Sequence, residues 1–153
     1  MRPIAEATTE HVTIQSPNLG VYDRVVQSYE THYYLNDEIE DMGVYTDMIH
    51  AMYISEPQDV IYIHLNTVGG RLDIGTQIIN AMRASAAHII TVLDAKAYSL
   101  GALIFLAGKS IIVHDDCLLM FHNYNSGTFG KGNEQIAEVT ASIKWYGKIL
   151  RRI

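Results

Sequence analysis

The sequence predicts an α/β fold with a parallel sheet flanked by helices, and three observations carry that expectation. Short runs rich in Val, Ile, Tyr and Leu alternate along the chain with segments of helical period. Glycine, proline, asparagine or aspartate marks many of the junctions. Strands that alternate with helices pack most simply as a parallel sheet with helical crossovers.

The elements follow in order. Residues 1–28 are polar and mixed, broken by Pro3, Pro17 and Gly20, and read as an N-terminal arm with one short strand at 12–14. The domain proper is expected over residues 29–153. Residues 31–35 read as a strand. The acidic turn 36–41 has helix-starting chemistry. Val44, Met48, Ile49 and Met52 then recur at helical spacing and predict a helix over 43–55, closed by Pro57. A buried-type strand is expected at 60–65, a turn at 66–70 and a second helix at about 74–84. A strand at 88–93 and a short apolar helix at 97–108 come next. Residues 110–113 and 117–121 read as strands. A glycine-rich stretch at 126–132 leads into a long helix from about 134 to the end.

Composition excludes several classes. The chain has 153 residues, enough for one core, and carries 11 Lys and Arg against 17 Asp and Glu for a formal charge of -6. That balance gives no nucleic-acid footprint. The basic cluster Lys144, Lys148, Arg151 and Arg152 suits the last turns of a helix. The single Cys117 allows no internal disulfide and fits a reducing, cytoplasmic setting. The first residues lack the apolar core of a signal peptide, and no run approaches the roughly 20 residues of a membrane span. The seven histidines form no HExxH or similar ligand spacing, so neither a metal nor another cofactor is expected. His64, mid-strand, reads as structural, and His114-Asp115-Asp116 as a turn.

In a parallel sheet, chemistry gathers at the carboxyl ends of the strands. Three such ends stand out: Gly69-Gly70, Tyr98-Ser99-Leu100-Gly101 and Phe121-His122. Ser99 opens a helix, where serine commonly serves as a cap, but where a nucleophile would also meet unpaired backbone N–H groups. The two glycines suit a tight turn or a close backbone approach to a ligand. A lone histidine after an apolar strand is a core residue or a general base. Together the three supply what acyl transfer needs: a nucleophile, a base and oxyanion donors.

Residues 61–70, the helix after them, Ala97-Tyr98-Ser99-Leu100-Gly101-Ala102 and Leu119-Met120-Phe121-His122 resemble, in order and spacing, the motif blocks of the proteolytic subunit of the Clp protease, within the Clp protease–crotonase superfamily. The resemblance spans about residues 30–153. It implies repeated β-β-α units with a protruding handle helix. It implies Ser99 as nucleophile, His122 as general base, and the amides of Gly70 and Leu100 as the oxyanion hole. Residues 127–130 are similar to the handle strand, which aligns a substrate as an added β-strand. The family stacks heptameric rings into a chamber and takes unfolded polypeptide from an AAA+ unfoldase ATPase. The helix at 43–55 and the arm at 1–28 would then lie near the apical face and axial pore.

Val68, Tyr98 and Asn123-Tyr124 depart from the family's usual Pro, small residue and Gln-Pro, as in a bacteriophage-borne or otherwise remote member. No residue matches the family's triad aspartate, which follows the handle helix. The chain is therefore expected to be truncated beyond Ile153, with weak or no activity on its own. Two alternatives accompany this reading: a catalytically inactive ring subunit, and a crotonase-type acyl-CoA enzyme.

Overall fold

The computed structural model of the chain describes residues 6–16, 19–122 and 131–151. Among these residues ten elements follow one another: β1 (Glu6–Ser16), β2 (Leu19–Ile39), α1 (Met42–Ile54), β3 (Val60–Gly70), α2 (Leu72–Ala84), β4 (His88–Tyr98), α3 (Leu100–Leu106), β5 (Ser110–Val113), β6 (Leu118–Met120) and α4 (Gly132–Leu150). The strands form one six-stranded sheet in the order β1-β2-β3-β4-β5, with β6 also paired to β4. β2, β3, β4 and β5 run parallel, as does β6 with β4, and β1 is antiparallel to β2.

Alternation on β3 shows how the sheet is used. Ile61, Ile63 and Leu65 are buried, while Tyr62, His64 and Asn66 between them are half-buried. The buried face meets Tyr45, Met48, Ile49 and Met52 of α1, Ile74, Ile78, Ile79 and Met82 of α2, and Leu103 and Ile104 of α3 in one core. Each fully buried aliphatic side chain there stabilises the fold by about 1.5–3 kcal/mol. The helix starts follow local chemistry. Asp41 caps α1 by accepting the Gly43 amide at 2.8 Å. Asp73 in the first turn of α2 and Arg83 in its last turn complement that helix's dipole.

The structure revises four sequence expectations. The polar arm is a hairpin rather than one short strand, because β1 pairs along β2 from Glu6↔Glu30 to Ser16↔Leu19. The acidic turn begins later than expected, because β2 continues to Ile39, which pairs with Gly70. β3 therefore also runs on to Gly70 instead of ending at 65. The short helix starts at Leu100 rather than 97, because β4 extends to Tyr98 and takes β6 as a partner over Lys96–Tyr98. The handle segment 127–130 lies outside the described residues. Among the described residues no helix is long and apolar enough to cross a membrane.

Candidate active site

β4 is long enough to hold two short strands end to end, β5 against Ile90–Leu93 and β6 against Lys96–Tyr98. The second pairing builds the site. At the end of β4 the Ser99 amide donates to the Met120 carbonyl at 2.9 Å, so β6 delivers His122 beside the turn that carries Ser99.

Ser99 occupies an unusual backbone conformation, with φ 54° and ψ −118°. A side chain with a Cβ is disfavoured there, and such strain persists where the surroundings impose it. Ser99 sits between a strand and a helix in a sharp turn of the kind that presents a nucleophile at a sheet's upper edge. Its side chain makes no capping hydrogen bond to α3. The bland explanation for a serine at this position is thus not the one the geometry adopts. The amide of Leu100 is the first of α3 and has no partner within the helix.

The glycines are required by contact as well as by conformation. Gly69 has φ 96°, and a Cβ there would lie 2.7 Å from the Tyr98 carbonyl oxygen and 3.0 Å from the Leu100 nitrogen. Gly70 packs so closely on Ile39 that a Cβ would overlap its backbone. The end of β3 therefore touches the Ser99 turn directly. Buried Thr67 ties this end down, since its Oγ1 accepts the Gly69 amide at 3.0 Å and donates to the Asp37 carbonyl. The Arg71 amide donates to the Ile39 carbonyl at 2.8 Å on the other side of Gly70.

Ser99, Leu100, Gly70 and His122 all line one cleft of about 470 Å³. The structure thus brings together all four residues singled out in the sequence. The cleft wall also contains residues that the sequence did not flag, namely Glu38, Glu40, Arg71 and Tyr146, with Leu72 and Leu103, beside Val68, which stands where the family usually has proline. Glu38 and Glu40 flank buried Ile39 where β2 ends, and both reach the cleft wall. The acidic pair is present in the sequence, but it needs the β2–β3 register to point at the cleft. Arg71 is hydrogen-bonded to Asp73 at 2.7 and 3.2 Å. This bond holds the Asp73 carboxyl below the usual range and raises the guanidinium above its own. The positive charge of Arg71 is thereby largely matched before any ligand arrives.

Elsewhere, Tyr33 is pushed up by burial and then by the charge of Asp47, and its hydroxyl has no hydrogen-bond partner. Among the described residues no group of three or more His, Cys, Asp or Glu side chains could hold a metal ion. His64 is engaged with neighbouring strands, and His114, Asp115 and Asp116 follow β5 outside the cleft.

No curated protein matches the sequence. Residues 18–153 match the family described as Clp protease, from the start of β2 through α4. With a parallel sheet, a strained serine turn and a glycine-built strand end in the same stretch, the chain belongs to the Clp protease family.

Proposed function

We propose that the chain is a serine endopeptidase subunit in which Ser99 is the nucleophile, His122 the general base, and the amides of Gly70 and Leu100 the oxyanion donors. One observation carries this reading. Ser99 is held in a left-handed strand-to-helix turn, its hydroxyl unused as a cap, on the cleft it shares with His122. Ser99 Oγ attacks the scissile carbonyl carbon as the His122 imidazole takes its proton. The carbonyl oxygen gains the negative charge and moves into the two amides. Collapse breaks the C–N bond, and the leaving amine takes the proton from His122. Water then hydrolyses the acyl-enzyme by the same route and restores the serine hydroxyl.

Unfolded polypeptide is the substrate in this reading, delivered by an AAA+ unfoldase into a chamber built of rings of this chain in the cytoplasm. Large exposed apolar side chains support self-association: Ile111, Ile112, Leu118 and Leu119 on β5 and β6, and Ile136, Ile143 and Trp145 on α4.

The test is a serine-directed fluorophosphonate. Mass spectrometry is expected to place one adduct on Ser99, absent from Ser99→Ala. A folded, assembled protein with no adduct on Ser99 would overturn the peptidase reading and favour an inactive ring subunit.

A further inference from the structure

Away from the cleft, on the sheet face opposite the helices, four side chains from three strands form one hydrogen-bonded line. Glu30 Oε1 lies 3.0 Å from His32 Nε2. His32 Nδ1 lies 2.9 Å from His64 Nε2. His64 Nδ1 lies 3.0 and 3.2 Å from the two Asp94 carboxylate oxygens. The line therefore crosses β2, β3 and β4, and no cleft residue belongs to it.

Aromatic rings fix the imidazoles in this arrangement. Tyr62 stacks on His32 with centroids 4.5 Å apart and planes within 1°. Tyr34 stacks on His64, also at 4.5 Å. Strand register explains the pattern, since His32 pairs with Tyr62 and Tyr34 with His64 across β2 and β3. His64 is largely shielded and His32 is half-exposed, with side-chain exposures of 16% and 37%. His114 adds an outer contact to Asp94 at 3.6 Å.

Proton counting decides what this line can do. It contains three heavy-atom contacts, and each needs one proton between its partners. Ionised carboxylates bring none. Two neutral imidazoles bring one each, which leaves one contact unmade. Three protons on the two rings complete all three bonds and place a single positive charge between two carboxylates and against two tyrosine faces. Four protons put N–H against N–H at the centre and two cations side by side. The central bond must then break.

We propose that Glu30, His32, His64 and Asp94 form a proton-counting clasp across three strands, closed with three protons on the histidine pair and opened by a fourth. Acid therefore adds one charge to this sheet face and releases His32 from His64, while each histidine keeps its carboxylate. The titratable groups around the pair are Glu30, Asp94, His114, Tyr34 and Tyr62. The inference stands independently of the peptidase reading.

Nitrogen-15 NMR of the histidine rings in the intact chain tests it. In the closed clasp, three of the four ring nitrogens of His32 and His64 are expected to carry protons. A nitrogen–nitrogen coupling across the His32–His64 hydrogen bond should be visible. On acidification the pair should take up one proton, not two, and the coupling should disappear. His64→Phe retains a ring to stack on Tyr34 but removes both nitrogens. In that variant the coupling should be absent, and His32 should gain its proton without any partner's transition. Two rings that take up their protons independently, with no coupling at any pH, would overturn the clasp. The wild-type titration decides this even where the variant does not fold.

Discussion

The backbone N–H of Ser99 donates to the carbonyl of Met120 at 2.9 Å, which joins the strained turn to a strand that ends two residues short of His122. A three-residue strand at a sheet edge thus sets the separation of the two proposed catalytic groups. Neither group is placed by its own side chain. The β4–β6 register places both, and the site is only as firm as that pairing.

The conformation of Ser99 makes a stability prediction separate from chemistry. With φ 54°, any residue with a Cβ is strained by about 1–2 kcal/mol relative to glycine. Ser99→Ala keeps that strain and Ser99→Gly relieves it, partly offset by the greater freedom of glycine in the unfolded chain. Ser99→Gly is therefore expected to be the more stable of the two by about 1 kcal/mol in urea unfolding, while both lose fluorophosphonate labelling. Equal midpoints would show that the turn is not strained in solution.

His122 lies on the exposed wall of the cleft, so its removal should separate reactivity from folding. Loss of a general base costs about 10²- to 10⁴-fold in rate. His122→Ala should slow Ser99 labelling on that scale while the protein stays folded, checked by urea unfolding. A variant that labels at the wild-type rate would remove His122 from the mechanism.

How far the sequence revealed this site depends on the range of each signal. Ser99, Gly70 and His122 were legible because strand ends, glycine pairs and a helix-opening serine are local features, and their order matched a known family. The core strand at 60–65 was legible from its unbroken apolar run. Glu38 and Glu40 were not, because their place in the cleft wall depends on the pairing of Ile39 with Gly70, 31 residues away in the chain. The β1–β2 hairpin was missed because polar residues dominate 1–28, and the partner strand extends over 21 residues as a single element. The histidine line was invisible for the same reason. His32 and His64 are 32 residues apart, and only the parallel register sets them side by side.

Arg71 and Asp73 give a pH prediction with a definite sign. The hydrogen bond from Arg71 depresses the Asp73 carboxyl in the folded chain. A depressed carboxylate adds stability that is present above its unfolded value, near pH 4, and is lost as pH falls through the folded value. Both side chains are exposed, so the effect is small. Arg71→Met should be slightly less stable than wild type at neutral pH, with the difference closing below about pH 4. By NMR, the Asp73 titration should move up toward the ordinary range. A stability difference that persists unchanged into acid would assign the effect to packing instead of the ion pair.

Thr67 offers the sharpest test of how the Gly69–Gly70 strand end is held. It is fully buried, and its single hydroxyl both accepts the Gly69 amide and donates to the Asp37 carbonyl. Asp37 itself has φ 66°, so this hydroxyl links two residues whose backbones depart from ordinary strand geometry. Thr67→Val keeps the shape and leaves a buried N–H and a carbonyl without that partner, at a cost of about 1–3 kcal/mol. The same loss frees the strand end that abuts the Ser99 turn, so labelling of Ser99 should slow at temperatures where the variant remains folded. Thr67→Ser retains the hydroxyl and loses only a methyl group, so it should restore labelling while remaining somewhat less stable than wild type. Wild-type labelling in Thr67→Val with slow labelling in Thr67→Ser would mean that the Thr67 methyl packing, and not its hydroxyl, positions Gly69 and Gly70.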